Sequence, residues 1–330
     1  VAAFSFDKLV IFGVGLIGGS LARALRERGA AGGEAGGKAV GNAGSITGGG
    51  GVRKVIGVGR TTASSARALE LGVIDGAATL DDDRALADAL AGADVVLLAA
   101  PVAQTQPLLE RIAPFLDATT IVTDAGSTKA DVVAAARAAL GARIAQFVPG
   151  HPIAGREASG VEAALPDLYV DRNVVLCPLP ENAKASVERI ADMWRATGAT
   201  VHEMAPPQHD RVLASVSHLP HVLAFAYVEQ ILQSRDAALR FAFASGGFRD
   251  FTRIAASSPE MWRDICVANR DALLEEIDSY TAVLAALRAA IEAGDGASLE
   301  TVFARSRAAR ADWQHRAAQP AAANGGESSK

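Results

Sequence analysis

The chain has 330 residues, half of them apolar and 21% charged, with a formal net charge of −5 at pH 7. That length allows two domains, because single cores usually stop growing near ~250–300 residues. The mildly acidic balance offers no basic face for nucleic acid, and Cys177 and Cys266, far apart, exclude a disulfide scaffold and a paired-cysteine metal or redox site.

The first residues, Val1 to Asp7, hold neither a basic stretch nor a long apolar core, so no signal peptide and no membrane span is expected. Two isolated thiols suit a cytoplasmic location. Lys8–Phe12 reads as a strand, followed by Gly13-Val-Gly15-Leu16-Ile17-Gly18 and a helix over Leu16–Arg28. Strand, glycine turn and helix in that order predict a Rossmann-type dinucleotide site at the glycines, with Leu16 and Ile17 on the cofactor. The free N–H groups at the helix start would face the phosphates. Residues 30–51 are low in complexity and nearly devoid of bulky apolar side chains, and read as a disordered insertion.

Lys54–Val58 is the second strand, and its end bears on cofactor choice. NAD-selective folds usually carry a carboxylate there, whereas this chain has Gly59-Arg60-Thr61. A guanidinium beside hydroxyls suits a 2′-phosphate, so NADP is favoured. NAD remains possible if Arg60 is only solvated or stacks on adenine. A helix near Ala63–Leu71 and a short charged stretch follow. The strand Asp94–Leu98 then leads into Ala100 and Pro101, placed near the cofactor. Strand Thr120–Thr123 delivers Asp124-Ala-Gly126-Ser127-Thr-Lys129. Ser127 sits either at the nicotinamide end or as the N-cap of a helix from Thr128. Strand Ile144–Val148 leads to His151, on a loop rich in glycine and proline, where an imidazole titrating near neutral pH suits proton transfer.

Beyond His151, Ala154–Leu165 reads as partly helical, Asn173–Cys177 as a strand, Asn182–Thr197 as an amphipathic helix, and Thr200–Met204 as the last strand of the sheet. From Pro206 the chain reads as helical. A long helix to Gln230 carries His209, Asp210, His218 and His221, with a kink expected at Pro220. No carboxylate or thiol stands at useful spacing from the two later histidines, so no metal is expected. After a double glycine, Arg249 and Arg253 stand i, i+4 and suit a substrate with two carboxylates, or else form a solvated ion-pair face with Asp250. Ser258-Pro259 opens a helix read as Glu260–Ala293, and a last helix runs near Ser298–Ala318. These amphipathic helices suggest a homodimer. The domains are thus read as 1–205, an α/β Rossmann-type dinucleotide-binding domain, and 206–318, an all-α substrate and dimerisation domain, with a disordered tail at 319–330.

Taken together, Gly13–Ser20, Asp124–Lys129, His151–Gly160, His209-Asp210, Ser217–His221 and Gly246–Ala255 resemble the prephenate/arogenate dehydrogenase family of tyrosine biosynthesis. The resemblance spans about Lys8 to Ala293. Ala125, Arg156 and Phe251 depart from the common pattern, and the 30–51 insertion lies outside it.

The resemblance implies oxidative decarboxylation. Hydride leaves C4 of prephenate for the nicotinamide, the C4 hydroxyl loses its proton, and carbon dioxide departs to give 4-hydroxyphenylpyruvate; arogenate would give tyrosine directly. It also implies roles for individual residues. His151 takes the hydroxyl proton, and Ser127 bonds the same hydroxyl and orients His151. Arg253 holds a substrate carboxylate, with Arg249 as a second cationic contact. His221 and His218 are candidate substrate contacts, and Glu157 with Asp250 belongs to an ion-pair network closing the cleft. With no small ligand-binding domain after the helices, tyrosine inhibition would act at the active site. Two other readings are a β-hydroxy-acid dehydrogenase, which would need a lysine absent from the helical half, and a non-catalytic NADP-binding protein, which would leave His151 and Ser127 without a role.

Overall fold

The computed structural model describes residues 5–31, 51–156 and 158–318. The predicted insertion, apart from its edges, and the tail at 319–330 lie outside the described residues, as does Glu157.

The first sheet is built from β1 (Ser5–Phe12), β2 (Gly51–Gly59), β3 (Gly76–Thr79), β4 (Val95–Leu98), β5 (Ile121–Asp124) and β6 (Phe147–Val148). They pair in parallel in the order β3-β2-β1-β4-β5-β6. Helices α1 (Leu16–Ala31), α2 (Thr62–Glu70), α3 (Asp83–Leu90), α4 (Thr105–Ile112) and α5 (Ala130–Leu140) connect the strands. Alternation along β1 sends Leu9 and Ile11 into one apolar cluster and Val10 and Phe12 into another, so the central strand is buried on both faces. The strand order reverses beside β1, and the crevice at that switch point is where such sheets take ligands.

Several sequence expectations change here. The charged stretch after α2 contains β3 and α3. The strand Gly76-Ala-Ala-Thr79 lacks the branched run that marks strands, and α3 is capped by the Asp82 carboxylate, which accepts from the amides of Arg84 and Ala85. The strand expected over Ile144–Val148 shrinks to Phe147–Val148, with a 3₁₀ turn occupying Gly141–Gln146. Residues 200–204 are not the last strand of this sheet. A second, three-stranded sheet is formed by β7 (Gly150–Pro152), β8 (Asn173–Leu176) and β9 (Thr200–Glu203), in that order. Its β7 pairs antiparallel with β8, so His151, expected on a loop, is held in a strand opposite Val175 by a partner too distant in sequence for local composition to reveal, and α6 (Lys184–Ala196) joins β8 to the parallel β9. The segment 154–165 is helical only as a 3₁₀ turn at Val161–Ala163.

Helices α7 (Pro206–Leu213) and α8 (Leu219–Leu232) flank a π turn at Ala214–His218. Pro220 has no N–H to return to the preceding turn, and the wider turn absorbs that defect. The segment Pro206–Leu232 has the length and mean hydropathy, 1.2, of a membrane span. Its His209 and Asp210 nevertheless bond to the strand and helix carrying His151 and Lys129, which ties it into the protein interior. The chain continues through α9 (Ala237–Ala242), α10 (Gly246–Thr252), a 3₁₀ turn at Arg253–Ala256 and α11 (Pro259–Ala268), whose N-cap is Ser258. The helix expected as continuous over Glu260–Ala293 is two, α11 and α12 (Arg270–Glu292). It breaks at Asn269, whose side-chain amide turns inward to the carbonyl of Asp210 and to His218.

By packing, Val1–Leu273 is one compact unit and Leu274–Lys330 a second. The second consists of the rest of α12 and α13 (Gly296–Ala318), joined by a turn in which the Asp295 carboxylate accepts from the amide and hydroxyl of Ser298.

Candidate active site

Two clefts meet at the carboxyl ends of β1 and β4, sharing Ala99, Ala100 and Pro101 in their walls. The first, about 600 Å³, runs along the glycine turn and the end of β2. Gly13 has φ +93°, and a Cβ there would lie 2.5 Å from the carbonyl oxygen of Ala99. A Cβ on Gly18 would lie 2.4 Å from the carbonyl oxygen of Gly13, so neither position admits a side chain. Beside Gly15, by contrast, nothing lies within 4 Å of where a Cβ would be. That open space at the N-terminus of α1 is a cradle for a pyrophosphate, so the residues present fit a dinucleotide. Arg60, Thr61, Ser65 and Arg67 line the far end, where Arg67 is paired with Glu70 and with Glu162 from across the cleft.

The second cleft, about 560 Å³, takes its walls from both halves of the chain. Leu16, Ile17 and Ala125–Ser127 come from the nucleotide-binding half, His151–Arg156 from β7 and its loop, Ser217 and His221 from the π turn and α8, and Arg253 and Trp262 from the last turns before and within α11. His151, Ser127, His221 and Arg253 are therefore brought together around one space, and Leu16, Ile17, Ala100 and Pro101 face it from the cofactor side.

Other sequence candidates are placed elsewhere. His218 is not at the cleft wall. It is buried behind Trp262, its Nδ1 facing the Asn269 amide at 3.0 Å. Burial pushes its imidazole down to about 4. Arg249 and Asp250 are exposed on α10 and do not line this cleft, because α10 ends before Arg253 and the expected shared face is broken. Ser127 is not the cap of α5: that helix begins at Ala130, and its first amides are satisfied by the Asp210 carboxylate of α7, which accepts from Lys129 N and Ala130 N at 2.8 Å each.

Behind the wall lies a set of charged and polar groups that sequence reasoning quoted but gave no role. Lys129, fully buried, places Nζ 2.6 Å from Oδ2 of Asp124. Asp124 also accepts the amides of Gly126 and Gly150, tying the Ser127 loop to the residue before His151. Nδ1 of His151 lies 2.8 Å from Nε2 of His209, and Nδ1 of His209 lies 2.8 Å from Oδ1 of Asp210. On the other wall, Nδ1 of His221 donates to the carbonyl of Ser217 at 2.8 Å, and its ring stacks on Trp262 at 3.6 Å.

Electrostatics revise one expectation. His151 does not titrate near neutral pH. Burial, reinforced by His209, Lys129 and His218, pushes its imidazole well below the usual range, so it is a neutral acceptor at pH 7. Burial alone would raise the Asp210 carboxyl, but hydrogen bonds from His209 and the amides of Ala130 and Lys129 hold it below its ordinary value.

The family model described as "Prephenate dehydrogenase, nucleotide-binding domain" matches residues 43–203, and "Prephenate dehydrogenase, dimerization domain" matches residues 205–305. The chain is 35% identical over 299 residues to a prephenate dehydrogenase of Bacillus subtilis (strain 168), covering 90% of this chain and 73% of that one. It is 38% identical over 249 residues to a cyclohexadienyl dehydrogenase of Zymomonas mobilis, covering 74% and 81% respectively. A crystal structure of prephenate dehydrogenase from A. aeolicus, in complex with hydroxyphenyl propionate and NAD+, superposes with a TM-score of 0.80 at 32% identity, over 93% of this chain and 98% of that one.

Proposed function

The chain belongs to the prephenate dehydrogenase family, and from that premise we propose that it oxidatively decarboxylates prephenate to 4-hydroxyphenylpyruvate. The observation that carries this reading is the convergence of His151, Ser127 and Arg253 on one cleft that opens onto a dinucleotide cradle. The bound nicotinamide supplies the hydride acceptor. His151 takes the proton of the ring hydroxyl at Nε2, since its Nδ1 is engaged by His209. Ser127, on the loop pinned by Asp124, bonds the same hydroxyl and fixes its orientation. Arg253 holds a substrate carboxylate, and His221, its ring fixed by Trp262 and Ser217, bounds the substrate on the helical side. Loss of carbon dioxide then aromatises the ring.

NADP is our preferred cofactor, with Arg60 and Thr61 on its 2′-phosphate, because no carboxylate ends β2. NAD is the second reading: the A. aeolicus structure carries NAD+, and Glu162 adds a carboxylate to this same cleft. Arogenate is the alternative substrate, which the likeness to a cyclohexadienyl dehydrogenase favours. We assign residues 206–318 to a homodimer interface as well as to substrate binding. The match to a dimerisation domain supports this, as do exposed apolar side chains such as Phe243, Phe251, Phe303 and Trp313. Rates with prephenate and arogenate against NAD and NADP, with and without tyrosine, test the function. Reduction of nucleotide with prephenate is expected, and no reduction with either substrate refutes it.

A further inference from the structure

The hydrogen-bond chain behind His151 has a direction. A carboxylate only accepts, so Nδ1 of His209 carries the hydrogen toward Asp210. In the neutral His209 imidazole Nε2 is then the acceptor, so Nδ1 of His151 carries the next hydrogen and Nε2 of His151 keeps its lone pair. One buried carboxylate thus sets the tautomer of two imidazoles in series. Its own position is fixed by the amides of Lys129 and Ala130, and its backbone carbonyl is held by Asn269. His209 is fully buried and Asp210 nearly so.

We propose that His209 and Asp210 form a proton relay behind His151. As the O–H bond of the substrate hydroxyl breaks, its proton joins Nε2 of His151. The Nδ1–H bond of His151 breaks in turn, and that proton joins Nε2 of His209. The electron pair left on the substrate oxygen forms the carbonyl as hydride departs. His151 ends as its other neutral tautomer, and the positive charge rests on the His209 imidazolium against the Asp210 carboxylate. Departure of carbon dioxide leaves its bonding pair on the ring oxygen as a phenolate, and the proton returns along the same two bonds to that oxygen, giving the phenol and resetting both tautomers. The relay answers a specific problem of this site: His151 is buried with Lys129 and His218 nearby, where a second positive charge is poorly held. His209 touches no substrate, so it acts as a positioning and proton-holding residue through His151.

The relay rests on the prephenate reading above, and its test separates the two. His209→Gln keeps an oxygen able to accept from Nδ1 of His151 but removes the ability to take its proton. The expected result is a fall in kcat of about 100-fold or more, with KM for substrate and nucleotide changed less than about twofold. Asp210→Asn removes the negative charge that holds the His209 imidazolium and should cost about 1000-fold in kcat. If either variant misfolds, the wild-type protein decides: turnover in mixtures of light and heavy water should give a bowed dependence on deuterium fraction, from two protons in motion. A straight line or no isotope effect overturns the relay, as does a His209→Gln kcat within about threefold of wild type. Wild-type protein inactive with every substrate and nucleotide would instead refute the function itself.

Discussion

The carboxylate of Asp210 accepts the backbone N–H of Lys129, eighty-one residues earlier, at 2.8 Å. A helix of the C-terminal half thereby caps a helix of the nucleotide-binding sheet, and the same carboxylate orients His209. The start of α5, just after the Ser127 loop, and the positioning of His151 are thus joined through one buried group.

His151→Asn retains a polar side chain but removes the proton acceptor. Turnover with prephenate should fall at least ~1000-fold, while nucleotide affinity, measured by fluorescence titration, stays near wild type. Turnover close to that of the wild type would remove His151 from its assigned role.

Lys129→Met leaves Asp124 buried with only amide partners. Breaking a buried ion pair in this way typically costs ~3–5 kcal/mol, and it loosens the link between the Ser127 loop and Gly150. Urea unfolding should show a clearly lower midpoint; an unchanged midpoint would mean that the pair contributes nothing to the fold.

Arg253→Gln should act on substrate binding more than on chemistry. Losing a charge-assisted bond of about 1.5–3 kcal/mol raises KM for prephenate about 10- to 100-fold, with a smaller change in kcat. Saturation behaviour identical to wild type would rule out carboxylate binding by Arg253.

Arg60→Ala probes the cofactor reading. If the guanidinium meets a 2′-phosphate, KM for NADP should rise about tenfold more than KM for NAD, a difference of ~1.4 kcal/mol. Equal losses for both cofactors would instead support stacking on adenine.

Stability should fall on mild acidification. Burial holds His218 down to about 4 and His151 well below its ordinary value, while the same imidazoles in the unfolded chain titrate near ~6.5. Between those limits the unfolded state binds more protons. Their contribution is therefore intact above about 6.5 and declines as pH falls toward about 4. A shift of the His218 size corresponds to ~3 kcal/mol. Melting temperatures recorded from about pH 7.5 down to about 4.5 should decline by several degrees, and a flat profile would contradict the burial of these rings.

Local signals carried much of this protein. The run Lys8–Phe12 followed by Gly13, Gly15 and Gly18 specifies strand, turn and helix through backbone sterics, and in the structure a Cβ would collide at Gly13 and Gly18 but not at Gly15. The Ser258-Pro259 helix start was legible for the same reason, whereas His151, expected on a loop because of its glycine and proline neighbours, stands in β7. Where local preference was weak, the reading failed: Gly76–Thr79 is a strand only because it pairs with β2, and the helix over 260–293 breaks because the Asn269 side chain finds two partners in the core.

By itself the sequence determined a parallel-sheet nucleotide fold, and its family resemblance put His151, Ser127, His221 and Arg253 forward together with His218, Arg249, Glu157 and Asp250. Only the tertiary structure decided which imidazole faces the cleft, since His218 and His221 stand three residues apart and one is turned inward by Asn269 while the other is held by Trp262. It likewise decided that His209 and Asp210 stand behind His151, because His151 meets His209 across fifty-eight residues and Asp210 is anchored by Lys129 across eighty-one, which no local pattern encodes. The physical reason is common to both cases. Backbone preferences act within a few residues, whereas the satisfaction of buried polar groups is settled among whatever segments the packed core brings within hydrogen-bond reach.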